Sequence, residues 1–80
     1  MANNFSRHFN YEGKNLLAVI IPQLRKNGMH YEVNIKGYPR FYMLWSPLGR
    51  YDIVKQEGIN LPYNLVLAIS DIIEEYTASH

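Results

Sequence analysis

The sequence predicts an α+β fold: a single small domain, α-β-β-β-α, with a three-stranded antiparallel meander covered on one face by two helices. Three observations carry this expectation. Between Tyr31 and Ile53 the odd positions give Tyr31, Val33, Ile35, Phe41, Met43, Trp45, Tyr51 and Ile53, while the even positions are mostly polar. Strand side chains point alternately to opposite faces, so this pattern makes one dry and one wet sheet face. Gly37-Tyr38-Pro39 and Pro47-Leu48-Gly49 interrupt the alternation with the glycine and proline chemistry of hairpin loops. On either side, apolar residues recur at the three-to-four spacing of amphipathic helices.

Residues 1–13 read as a loosely ordered N-terminal arm ahead of a domain spanning 14–80. The arm is rich in asparagine and ends at Gly13, yet Phe5, Phe9 and Tyr11 are unusual in a disordered tail and give it the means to pack back. Residues 14–27 read as the first helix, with Leu17, Ile20, Ile21 and Leu24 as its apolar stripe. Arg25 and Lys26 suit its negative end, and Gly28 follows as a capping glycine. Pro22 opposes this reading, because it removes the hydrogen bond to the Ala18 carbonyl. The competing reading makes 16–21 a buried strand, since period alone cannot assign so short an apolar run. The Lys26-Asn27-Gly28 stop signal favours the helix.

The strands are expected at 29–36, 40–46 and 50–56. Pairing Lys36 with Arg40 sets Ile35 opposite Phe41, Val33 opposite Met43 and Tyr31 opposite Trp45. Pairing Ser46 with Arg50 sets Trp45 opposite Tyr51 and Met43 opposite Ile53. Every inner pair is then apolar or aromatic, and a one-residue slip destroys the match. After 57–59, Asn60 caps a second helix with Pro62 in its first turn, and Leu65, Ala68, Ile69, Ile72, Ile73 and Tyr76 form its apolar face.

The α-β-β-β-α order resembles the double-stranded RNA-binding domain over most of residues 14–78. That family grips phosphates with a basic cluster at the start of its last helix. The matching segment, Asn60-Leu61-Pro62-Tyr63-Asn64, holds neither lysine nor arginine. The resemblance therefore implies the topology and not the phosphate grip.

Composition narrows the function classes. A chain of this length buries roughly 60% of its unfolded surface, so packing and self-association must supply its stability. With no cysteine there is neither a disulfide nor a thiolate metal site, which fits a reducing cytoplasm. The first 14 residues are polar and carry no secretory apolar region, and the run 16–21 is too short to span a bilayer. A soluble, cytoplasmic protein without membrane attachment is the expectation. Residues 1–50 carry seven cations against Glu12 and Glu32 (7 − 2 = +5), and residues 51–80 carry Lys55 against five acids (1 − 5 = −4). Such asymmetry suits an electrostatically steered partner surface.

Catalytic chemistry is not visible. His8, His30 and His80 are scattered, and Glu74 and Glu75 point about 100° apart on a helix, so they form no carboxylate dyad. No glycine-rich phosphate loop or nucleophile elbow appears. No catalytic residue, metal ligand or cofactor is expected. The functional clue is on the wet face, where the registers bring Tyr42, Leu44 and Val54 together with Arg40 and Arg50 nearby. An apolar centre inside a charged rim is the usual anatomy of a protein contact. The sequence thus predicts a non-enzymatic binding or regulatory protein, acting on a protein partner or on itself through the unguarded edge strand at 30–36. Nucleic acid, with a base stacked on Tyr42 between Arg40 and Arg50, is the alternative. A fold in which the N-terminal arm covers this patch would make it core instead.

Overall fold

The computed structural model describes residues 4–26, 28–54 and 60–79. They form β1 (Phe5–Tyr11), β2 (Lys14–Arg25), β3 (Gly28–Ile35), β4 (Phe41–Trp45), β5 (Tyr51–Ile53) and α1 (Tyr63–Ser79). The strands make one antiparallel sheet in the order β1-β2-β3-β4-β5, curved into a half-barrel around α1. This corrects the expected α-β-β-β-α fold: the described residues hold one helix and five strands. The topological likeness to the double-stranded RNA-binding domain falls with it.

The first helix is absent because its residues are built into two tight hairpins. Glu12 and Gly13 both take positive φ, 51° and 76°, and connect Tyr11 directly to its partner Lys14. Such a two-residue turn matches the twist of paired strands. At the other end of β2, Arg25 pairs with Gly28, whose φ of 118° suits a glycine. Gly28 is thus a hairpin residue and not a helix cap.

Pro22 fits this arrangement. Residues flanking a two-residue hairpin exchange main-chain bonds, and bonding direction alternates along a strand. The even residues of β2 therefore bond to β1 and the odd ones to β3. Pro22 turns its missing N–H toward the β1 side, beyond the Phe5–Ile20 pair that begins that ladder. No ladder bond is lost there, which is where a sheet accepts proline.

The alternating region behaves as expected, with one shift. Trp45 faces Tyr51 and Met43 faces Ile53, as the loop spacing requires. That loop closes with Ser46 N–H donating to the Arg50 carbonyl at 2.8 Å and Gly49 at φ 81°. In the first hairpin Tyr31 faces Met43 and Val33 faces Phe41, two residues away from the expected register. Tyr38 N–H closes a turn onto the Ile35 carbonyl at 3.0 Å, and pairing resumes only at Phe41, so the loop is longer than its glycine-proline centre. A two-residue shift keeps every side chain on its face. The expected end of the third strand at 55–56 lies outside the described residues.

The core sits between the inner sheet face and α1. Phe5, Ile20, Val33 and Phe41 form one cross-strand row, Tyr31 and Met43 lie in the next, and all are buried with Ala18 and Ile35. The helix adds Leu65, Val66, Ile69 and Ile73, all buried. It starts on the Pro62 carbonyl, which accepts from the Leu65 and Val66 N–H groups. Contacts at both sides of the sheet tie α1 to the outermost strands. Tyr76 stacks on Phe5 with ring centroids 3.7 Å apart and planes 2° from parallel, while the Tyr51 N–H donates to Ser70 Oγ at 3.1 Å. Trp45, also expected in the core, is 53% exposed and packs edge-on against Tyr51. The strand at 30–36, expected at an edge, lies centrally between β2 and β4, and the edges are β1 and β5.

The strand assignment of β2 separates residues that a helix would group. Ile20 is fully buried whereas Leu24 is 81% exposed. Ile20→Ala should cost about 2–5 kcal/mol and Leu24→Ala within about 0.5 kcal/mol, measured by urea unfolding. Equal losses would restore the helical stripe.

Candidate docking groove on the outer sheet face

The outer face is organised around Glu32. Its carboxylate accepts hydrogen bonds from Gln23 Nε2 at 3.3 Å, Asn34 Nδ2 at 3.0 Å and the Tyr42 hydroxyl at 3.4 Å. Arg25 Nη2 donates to Gln23 Oε1 at 2.7 Å, and its guanidinium lies 5.1 Å from the centre of the Tyr42 ring. Three side chains, one each from β2, β3 and β4, thus converge on one acid, and the Tyr42 ring is engaged by Arg25 rather than by Arg40 or Arg50.

The expected site residues divide into two places. Tyr42, Leu44 and Val54 do come together: Leu44 faces Asp52, and the Val54 N–H donates to the Tyr42 carbonyl at 2.8 Å. All three are half-buried. Residues 4–11 do not cover them, since β1 lies beside β2 at the far edge of the sheet. Arg50 turns away toward the start of α1. Its Nη2 donates to the Tyr63 hydroxyl, its guanidinium lies 5.6 Å from that ring's centre, and its Nε is buried without a hydrogen-bond partner. Arg40 is exposed and belongs to a different feature.

That feature is an open groove of about 710 Å³, lined in part by Leu17, Val19, Asn34, Lys36, Tyr38 and Arg40. It exists because β2 outruns β3: the ladder between them ends at the Ala18–Ile35 pair, while β2 begins at Lys14. The odd residues of β2 bond toward β3, so the main-chain groups of Asn15 and Leu17 face the groove. On its floor Leu17 and Val19 are 41% and 37% exposed. Lys36 and Arg40 stand exposed on the loop side. Sequence reasoning missed Leu17 and Val19 because a helix would have used Leu17 in its stripe. Their signal is a run that is apolar at both parities, Leu16 to Ile21, of which a strand buries one half only.

Among the described residues, no group of three histidine, aspartate or glutamate side chains converges. The perturbed groups are tyrosines of the opposite face. Burial, and then the neighbouring Tyr51, push the Tyr31 phenol up to about 12. Burial, and then the charge of Glu12, also raise the Tyr11 phenol, whose buried oxygen has no hydrogen-bond partner. Comparison of the chain with protein families, curated proteins and solved structures finds no match.

The raised Tyr31 phenol has a consequence for alkaline stability. The folded chain holds this group in its neutral, protonated form more strongly than the unfolded chain, where tyrosine titrates near about 10. Its contribution is complete below that pH and is lost as pH rises from about 10 toward about 12. Urea unfolding as a function of pH should therefore show a decline above about pH 10 that is smaller in Tyr31→Phe. An unchanged decline in that variant would place the titrating group elsewhere.

Proposed function

We propose that this chain is a small non-enzymatic docking protein that takes an extended acidic and apolar segment of a protein partner into the groove beside β2. The observation that carries the reading is the overhang of β2 past β3. It aligns main-chain groups at Asn15 and Leu17 with an exposed apolar floor at Leu17 and Val19. A peptide strand added to a sheet gains affinity from main-chain bonds and specificity from alternate side-chain pockets. Lys36 and Arg40 favour acidic side chains on the incoming segment. Tyr42, Leu44 and Val54 lie farther along the same face as a less accessible apolar strip. A cysteine-free chain suits a cytoplasmic setting. No described helix is long and apolar enough to cross a membrane.

Nucleic acid is less well served. The same face carries Glu32 and Asp52, and the Tyr42 ring is occupied by Arg25. Selection from a displayed library of random peptides tests the proposal. Enriched sequences should alternate apolar residues and contain Asp or Glu. Their affinity should drop about tenfold or more with Leu17→Lys and with the double change Lys36→Glu and Arg40→Glu, and hold with Leu24→Lys. Selection of no such sequences, with tight single-stranded DNA or RNA binding that collapses as salt rises, would overturn it in favour of phosphate recognition.

A further inference from the structure

We propose that β1 pairs antiparallel with β1 of a second copy across a two-fold axis at His8, in a dimer that weakens as pH falls. The two edges of the sheet are unequal. On β5 the outward N–H groups are taken, Tyr51 by Ser70 Oγ at 3.1 Å and Ile53 by Asp52 Oδ1 at 2.8 Å. On β1 the hairpin geometry directs the main-chain groups of Ser6, His8 and Asn10 away from β2. These three residues are exposed, and the strand carries no proline. The Tyr76 stack brings α1 to β1 through the inward-facing Phe5 ring. One guard exists: Arg7 Nη1 donates to the Ser6 carbonyl at 3.0 Å, which leaves that oxygen a second lone pair. A strand with open outward groups is a template for another strand.

Self-complementarity fixes the register. With His8 opposite His8 of the second copy, Ser6 falls opposite Asn10, and each of these residues exchanges both of its main-chain bonds. Sliding by two residues leaves bonds unmade at the ends. In the matched register the inner side sets Arg7 beside Phe9 of the second copy, a pairing of cation and ring. Closed two-fold pairing of identical patches ends assembly at the dimer, because the opposite edge is occupied.

The same register supplies the pH dependence. On the outer face His8 has Ser6 and Asn10 along its own strand and Leu17 across from it, with Asn15 and Val19 diagonal. Lys36 lies beyond Leu17 and adds positive charge; no described carboxylate faces His8. In the dimer its new neighbours are His8, Ser6 and Asn10 of the second copy. Two imidazoles in a bonded pair have Cα atoms about 5.5 Å apart, and like charges directly opposite destabilise a sheet. Neutral rings are tolerated and two imidazolium ions are not. The dimer is therefore favoured while both rings are neutral and weakens as acid protonates them.

Light scattering on the full chain at tens of micromolar tests this, independently of any groove ligand. A dimer is expected at about pH 7.5, with a dissociation constant about tenfold weaker at about pH 5.5 and no such change in His8→Leu. His8→Pro deletes only an outward N–H and should yield a monomer with an intact thermal melt. Should that variant fail to fold, cysteine variants decide, since the chain has no cysteine of its own. His8→Cys should cross-link under mild oxidant, whereas Ser6→Cys, with its Cα atoms roughly 14 Å apart in this register, should not. A monomer at neutral pH, a dimer indifferent to pH, or equal cross-linking at both positions would overturn the proposal.

Discussion

One helix has to cover the inner face of five strands, and the architecture follows from that constraint. Strands spaced about 4.8 Å apart make a sheet wider than a helix about 10 Å across. The sheet solves this by curving until its outer strands meet the helix, with Phe5 on Tyr76 at one side and Tyr51 on Ser70 at the other. Between them Leu65, Val66, Ile69 and Ile73 fill the hollow against Ile20, Val33 and Phe41. Rows beyond the helix ends stay partly bare, as Trp45 and Leu24 show. The asymmetry of the two edges has the same origin. The helix contributes a hydroxyl to β5 and a ring to β1.

What the sequence made legible was the part in which one face is wet and the other dry. From Tyr31 to Ile53 polarity and side-chain direction coincide, so the inner face and the second hairpin register could be read directly. In β2 that coincidence fails. Leu16, Ala18 and Ile20 point inward while Leu17, Val19 and Ile21 point outward, so no period of two survives. A continuous apolar run then imitates a helical stripe, and Gly28 imitates its cap. Pro22 was the residue that contradicted the helix, and its meaning became plain only once the ladder showed which way its nitrogen points. The two-residue shift in the first hairpin arose differently, from a loop whose ends look like strand.

The site was legible only in fragments for the same reason. Tyr42, Leu44 and Val54 can be grouped from the sequence because β4 and β5 follow the alternation, whereas Leu17 and Val19 lie in a run that imitates a helix. Arg40 was found with the wrong neighbours, and Arg50 was lost to the Tyr63 ring, a contact between residues far apart in the chain. Charge is easier to place in retrospect. The strands and their loops hold Arg7, Lys14, Arg25, Lys36 and Arg40, while the exposed Asp71 and Glu75 lie on the helix. The asymmetry along the chain thus follows the division between strands and helix, with Asp52 as the described acid of residues 51–80 that stays on the sheet.

The strand order also shapes how the chain is made. Each strand pairs with its immediate neighbour in sequence, so the sheet can zip together hairpin by hairpin from local contacts, which form quickly. The helix that covers it is encoded after all five strands, and the Phe5–Tyr76 stack joins β1 to α1. During synthesis the row of Ile20, Val33 and Phe41 therefore emerges from the ribosome before the residues that bury it. A nascent chain of this design passes through a stage with an assembled but uncovered apolar face, the condition under which chaperones and premature association compete with folding.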